Sequence, residues 1–202
     1  HAYVRRQRQM CIRDRPTFEQ VAEWKHNTTA IPQQIRILRD IINHIKEETQ
    51  STGSNIYWSV ENNTIGESAL LVINDFGEEN IPGMFVSEPI RKGHIRKFRK
   101  GFNTTHRTKI SACARLKSMV EKGKLKINSK PFITELKAFV ASGSSYKAKT
   151  GETDDLVSSM LLAMRIVSVL KDWDPKVYTS FSQADEDTAD RVYPLPLFIS
   201  SS

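Results

Sequence analysis

The segment DLVSSMLLAMRIVSVL, residues 155–170, constrains this chain more than any other stretch of it. Read as a helix, it carries apolar residues on nearly all sides, and such a helix needs cover on more than one face. It therefore lies deep in the fold, and the rest of the chain must supply the layers around it. The expected helix runs over 154–171. Thr153 precedes it as the predicted N-cap, Asp154 and Asp155 occupy its first turn where the helix dipole favours negative charge, and Lys171 stands near its end.

The remaining pattern alternates between strand and helix. Residues 18–24 (FEQVAEW) predict a short strand, closed by the turn cluster at 27–29. Residues 31–48 carry Ile35, Leu38, Ile41, Ile42 and Ile45 at three-to-four spacing behind Pro32, the pattern of a helix with one buried stripe. Residues 55–61 (NIYWSVE) form a strand rich in aromatic and β-branched types, and a turn at 62–66 leads into a helix over 67–76. Met84, Phe85 and Val86 predict a further strand, and 88–105 a basic, glycine-punctuated loop. A helix follows over 107–122 with Ile110, Ala114, Leu116, Met119 and Val120 inward, stopped by Gly123. A short extended piece at 125–127, a helix over 131–140 opened by Pro131 and a loop at 142–145 complete the series. Strand, tight turn, helix is the order of an α/β unit.

Length suits one domain, since domains cluster at roughly 100 to 200 residues. No run of about 18 apolar residues is present to span a bilayer. Cys11 and Cys113 form neither a Cys-x-x-Cys pair nor a Cys/His cluster with zinc spacing, which fits a reducing compartment. Net charge is +7, but its distribution says more than its sum. Residues 1–15 hold five arginines and one acid, with no apolar period, and read as a non-native or disordered basic leader; a basic arm that binds nucleic acid is the alternative. From Arg91 to Lys130 there are fourteen Lys and Arg against Glu121 alone, a charge of +13. Taking both stretches from the total leaves −10 for the rest. A chain that concentrates positive charge in one stretch is suited to hold a polyanion there. The domain is expected over 16–174, with a loosely ordered, acidic and then proline-containing tail over 175–202.

Two acidic positions stand out. Glu61 ends an otherwise apolar strand, where an α/β sheet opens into its crevice. Asp154 and Asp155 begin the buried helix; a first-turn acid is usually a capping residue, but a pair on a buried helix is less readily explained so. Hard divalent cations such as Mg²⁺ take oxygen ligands, commonly carboxylates gathered from different segments. Other residues carry less. Asp75-Phe76-Gly77 reads as a helix end, His26, His44, His94 and His106 show no metal spacing, Cys113 reads as structural, and Tyr57 and Trp58 read as core.

Four stretches, IYWSVENNTIGE, THRTKISACARLKSMVEKGKLKI, PFITELKAFV and GETDDLVSSMLLAM, resemble in order and spacing the C-terminal nuclease of the large terminase subunit of tailed phages. The resemblance covers roughly residues 17 to 170. It implies a ribonuclease H-like fold, a central mixed sheet flanked by helices, in which three acids hold Mg²⁺ or Mn²⁺. Glu61 matches the second acid, at the end of the fourth strand; Asp155 matches the third and Asp154 its usual acidic neighbour. The family's first metal-binding aspartate sits on the first strand, whereas this chain begins at what corresponds to the third, so the domain is read as N-terminally truncated. No phosphate-loop motif of an ATPase motor is present.

These expectations define an endonuclease that cuts concatemeric double-stranded DNA during genome packaging, with the portal protein and the small terminase subunit as partners in the cytoplasm of an infected bacterium. Glu61, Asp154 and Asp155 are the expected catalytic and metal-binding residues. Arg91, Lys92, Arg96, Lys97, Arg99, Lys100, Arg107 and Lys109 are the expected DNA contacts. Two other readings stay open: a catalytically incomplete module that binds DNA and docks on the portal, and another ribonuclease H-like enzyme such as a resolvase or transposase.

Overall fold

The computed structural model describes residues 18–92 and 95–171. The expected leader (1–15), the whole of the expected tail (175–202) and His94 lie outside the described residues. In chain order the elements are β1 (Phe18–Glu19), α1 (Ile31–Glu48), β2 (Tyr57–Trp58), α2 (Thr64–Phe76), β3 (Met84–Phe85), β4 (Glu88–Lys92) and β5 (Ile95–Arg99). Then follow α3 (His106–Glu121), β6 (Leu125–Lys126), α4 (Lys130–Ala138), β7 (Phe139–Ser142), β8 (Ser145–Ala148) and α5 (Asp155–Leu170).

Strand pairing is mixed. β1 runs parallel to β6 and β2 parallel to β3, while β4–β5 and β7–β8 are antiparallel hairpins. The segment around β2 is longer in effect than its two ladder residues. Carbonyls of alternate residues leave a strand on the same edge, and those of Ile56, Trp58 and Val60 accept from the N–H groups of Met84 at 2.8 Å, Val86 at 2.9 Å and Phe102 at 3.0 Å. One edge is thus paired first by β3 and then by Phe102, which bridges Glu61 in parallel. That second pairing carries extended backbone out to Glu61, as the sequence predicts.

Side chains on the strands alternate between two cores. Ile56, Trp58, Val60 and Phe85 pack with Ile35 and Ile42 of α1 and Ile73 of α2. Tyr57, Val86 and Phe102 face the other way, onto Leu162, Ile166, Val169 and Leu170 of α5. The opposite flank of α5 buries Leu156, Val157, Leu161 and Met164 against α3, α4 and β6. Helices on both faces of the strands make a layered α/β arrangement, and α5 is covered on two sides, as its composition requires. Each large apolar side chain fully buried there contributes roughly 1.5–3 kcal/mol.

Several boundaries differ from the sequence reading. β1 stops at Glu19 because β6 is short: the Gln20 N–H to Lys126 carbonyl bond, 2.9 Å, is its last rung, and Val21 and Trp24 are exposed. Part of the expected basic loop 88–105 is the β4–β5 hairpin, with Glu88 opposite Arg99 and Arg91 opposite Arg96. Charged residues dominate that stretch and hide the strand period. The helix expected to reach Val140 ends at Ala138, since Phe139 and Val140 pair with Ala148 and Lys147. On α3 the inward stripe is Ala112, Leu116 and Met119, while Ala114 and Val120 are exposed. α2 begins earlier than expected because Asn63 caps it, its side chain accepting from the Gly66 N–H at 2.8 Å.

Arg165 ties α5 to the root of the β4–β5 hairpin. It is only 9% exposed, donates to Glu88 at 2.8 Å, to the Asn103 carbonyl at 3.0 Å and to Thr104 at 3.2 Å, and stacks over the Phe102 ring.

Gly66 fixes how closely α2 approaches the strand end. A Cβ at this position would fall 1.6 Å from the Glu61 carbonyl oxygen, a backbone atom that cannot swing aside. Overpacking of a filled site costs typically 1–3 kcal/mol and sometimes more. Gly66→Ala is therefore predicted to lower stability by about 3 kcal/mol in urea unfolding. A variant as stable as the starting protein would mean that α2 and Glu61 are not in this contact.

Candidate active site

The first turn of a helix leaves N–H groups without intrahelical partners, and a buried start cannot use water for them. Asp154 occupies the N-cap of α5 but makes no side-chain cap bond, and Thr153, the predicted cap, lies one residue further out. The capping group comes from another helix. Glu135 of α4, 8% exposed, accepts through Oε2 from the N–H of Leu156 at 2.8 Å and of Val157 at 3.3 Å. Its Oε1 accepts from Lys25 Nζ at 2.7 Å and from the Thr153 hydroxyl at 3.1 Å. Lys25 also donates to Thr153 at 2.8 Å and lies 2.9 Å from Asp155 Oδ2. One lysine, two carboxylates and a hydroxyl thus close over the start of the buried helix.

Charges in this cluster set its protonation. Burial pushes the Glu135 carboxyl up, but the Lys25 ammonium, the two backbone N–H groups and Thr153 together outweigh it and hold the carboxyl below its ordinary value. Glu135 first, and then Asp155, hold the Lys25 ammonium above the usual lysine value. Asp155 is well exposed, whereas Asp154 is partly covered and faces Lys109 of α3, whose Nζ lies 3.8 Å from its Oδ2. Lys109 also lies over the Phe139 ring.

Glu61 stands half-buried where the strand pairs with Phe102. Strand alternation puts Glu61 on the Tyr57 side, the side covered by α5. Asp154 and Asp155 lie at the opposite end of the helix from the residues packed there. Arg165, which stacks on Phe102, is about 15 Å along the axis from Asp155 at the usual helical rise. Among the described residues no group of three or more His, Cys, Asp or Glu side chains is gathered in a way that could hold a metal ion. The donors fit a hard divalent cation in kind, being carboxylate oxygens. In placement they do not fit a complete site, and Asp154 and Asp155 have lysine partners instead.

The predicted DNA contacts fall on one hairpin and the helix start beyond it. Arg91 and Lys92 lie on β4, Arg96, Lys97 and Arg99 on β5. Lys100 follows and pairs with Glu78 at 3.3 Å, and Arg107 is exposed in the first turn of α3. Below the hairpin root an open cleft is lined by Thr108, Ser111 and Arg115 of α3 and by Arg165. Cys113 is half-buried against the α3–α5 core, and burial pushes its thiol above the ordinary value, in line with a structural role.

Sequence reasoning missed Glu135 and Lys25. Glu135 had a usable signal: it shares the inward face of α4 with Phe132 and Leu136, and a carboxylate on such a face needs donors. Lys25 carried none, because it meets Glu135 across 110 positions of sequence.

A strand-ending acid, a basic hairpin and an acid pair at the start of a buried helix, on a layered α/β frame, describe a ribonuclease H-like domain. The sequence matches the terminase RNaseH-like domain family over residues 8–165, and the chain belongs to that family. Membership suggests a nuclease role, and nucleases with this fold generally use divalent metals. Among the described residues no helix is long and apolar enough to cross a membrane.

Glu135→Gln removes the charge that the α5 N–H groups and Lys25 share. Hydrogen bonds to a charged group are each worth about 1.5–3 kcal/mol, so a loss of about 2 kcal/mol at neutral pH is expected from urea unfolding. Because the folded-state carboxyl lies below its ordinary value of 4.5, this stability is fully present above that value and is lost as pH falls through the folded one. The gap between the two proteins should therefore narrow on the acid side. A gap that stays constant down to the acid transition would contradict the assignment.

Proposed function

We propose that this chain is the metal-dependent endonuclease domain of a viral DNA-packaging terminase, cutting concatemeric double-stranded DNA into packaged lengths. The observation that carries the reading is the acid pair, Asp154 and Asp155, at the start of a buried helix in a domain of this family that also carries Arg91, Lys92, Arg96, Lys97 and Arg99 on one hairpin. Glu61 and Asp155 are the proposed metal ligands and Asp154 an auxiliary ligand. When bound, Mg²⁺ or Mn²⁺ supplies charge for the scissile phosphate and a place to activate water. The basic hairpin with Lys100, Arg107 and Lys109 fixes where the duplex lies, since backbone contacts position without reading sequence. Packaging partners in this reading are the portal protein and the small terminase subunit, in the host cytoplasm.

A second reading is favoured by the missing three-acid group among the described residues. In it the 202-residue chain binds DNA and docks on the motor without cutting. The two readings separate on one assay: with Mg²⁺ or Mn²⁺ the second gives slight or no plasmid nicking, whereas robust nicking abolished by EDTA excludes it.

In an active terminase large subunit carrying this domain, Glu61→Gln and Asp155→Asn should each lower cleavage by orders of magnitude with the fold intact by circular dichroism, and Asp154→Asn should be milder. A lethal Asp154→Asn beside a near-normal Asp155→Asn would reverse the roles given to the pair.

Duplex binding should be insensitive to base sequence and sensitive to salt. Each phosphate neutralised adds roughly 0.9 to the slope of log affinity against log salt. Replacing Arg91, Arg96 and Arg99 together by alanine should flatten that slope by roughly two to three units if all three make contacts. An unchanged slope would make the hairpin a solvated surface and move the DNA path elsewhere.

A further inference from the structure

The cleft at the root of the β4–β5 hairpin lies between α3 and α5 and has a volume of about 270 Å³. Its α3 wall carries Thr108, Ser111 and Arg115, which follow one another at three- and four-residue spacing and so share one face of the helix over about 10 Å. Arg165 lines it from α5, and Glu88 and Pro89 belong to the hairpin itself. We propose that this cleft seats one backbone phosphate of the duplex, with Arg115, Ser111 and Arg165 as its donors. The inference rests on the reading of the hairpin as a DNA contact and adds a second point of grip beside it.

A phosphate seat needs unused donors and no competing carboxylate. A guanidinium has five N–H groups, and three of those on Arg165 are engaged, by Glu88, the Asn103 carbonyl and Thr104. The other two have no partner among the described residues, although Arg165 is only 9% exposed and forms part of the lining. Glu88 is the one acid among the described lining residues, and both its oxygens are taken: Oε1 by Arg165 at 2.8 Å and Oε2 by the Asn103 N–H at 3.2 Å. With Glu88 and Arg165 offsetting each other, Arg115 leaves the lining at +1, the charge that one phosphodiester balances. Thr108 commits its hydroxyl to Thr105 in the capping box, whereas Ser111 is exposed and makes no side-chain hydrogen bond among the described residues. The lining holds neither Asn nor Gln, the side chains that read adenine. A contact made here therefore fixes the backbone without reading sequence. The cleft is also open, which suits a phosphate whose chain continues on both sides.

The experiment uses the full 202-residue chain and a fluorescent DNA duplex, with the Kd followed against salt by anisotropy. Arg115→Gln should flatten the slope of log affinity against log salt by roughly 0.9, the share of one phosphate. Ser111→Glu sets a carboxylate in the cleft and should weaken binding about tenfold at low salt. Lys117→Gln removes the same charge as Arg115→Gln from the opposite face of α3, where it pairs with Glu121, and should leave the slope unchanged. Combined with alanine at Arg91, Arg96 and Arg99, the Arg115→Gln loss should add to that of the hairpin. If Arg115→Gln fails to fold, Ser111→Glu carries the comparison, since an exposed helix position tolerates the change. A hairpin replacement that flattens the slope, beside Arg115→Gln and Ser111→Glu that change nothing, overturns the cleft and leaves the hairpin as a DNA contact. The same holds if Lys117→Gln matches Arg115→Gln, because the effect is then one of general charge. A slope that no variant moves overturns the DNA reading of the hairpin and the seat with it. Inorganic phosphate alone, followed by ³¹P line broadening, should show no saturable binding at millimolar concentration. Saturable binding abolished by Ser111→Glu would assign the cleft to a free anion and overturn the backbone contact.

Discussion

Burial of α5 is the constraint on which the other elements depend. A helix covered on two sides must have its opening N–H groups satisfied by protein, and here the acceptor arrives on a different helix. Glu135 makes the start of α5 a joint between elements distant in sequence: α4 supplies the carboxylate, the segment after β1 supplies its counter-ion, and α3 reaches in through Lys109. The acid pair proposed to do chemistry is carried on that joint. Its geometry is consequently set by tertiary contacts, with the capping chemistry of its own sequence contributing little.

Elements whose signal is local were legible in the sequence. α1 occupies the expected 31–48 because its stripe of isoleucines and Pro32 act within one helix. α5 was legible because a segment apolar all round admits few placements. Tyr57 and Trp58 are core, on opposite faces of the strand, as period-two alternation dictates. Asp75-Phe76-Gly77 is a helix end, with Gly77 at a φ of 86°. The misses share a cause, which is that the deciding partner lies elsewhere in the chain. The phase of α3 is set by β6 and α5, the end of β1 by the length of β6, and the end of α4 by its pairing with β8. Sequence alone also gave no means to pair Asp155 with Lys25 or Arg165 with Glu88.

The candidate site was legible as a set of residues and not as an assembly. Carboxylates at a strand end and a helix start are conspicuous in sequence, but their separation depends on how far α5 slides along the strands. Arg165 sets that slide by gripping Glu88, Asn103 and Thr104 around the Phe102 ring. The same contacts root the basic hairpin against α5. Electrostatics at the two ends of the helix are consequently of opposite character, with acids at its start and a guanidinium toward its finish.

The pairing of the strand edge by β3 and then by Phe102 has a topological consequence. The chain leaves this edge after Val86, makes the β4–β5 excursion, and rejoins it at Phe102, with the Glu88 N–H bonded to the Gly101 carbonyl at 3.1 Å. Exit and return are stapled together, so the excursion is a closed loop hung from a single point. Its length enters the closure entropy only logarithmically, and residues can be inserted or removed at its tip without shifting the register of Glu61. The hairpin is therefore a modular arm, whose reach and charge can be changed independently of the frame that bears the acids.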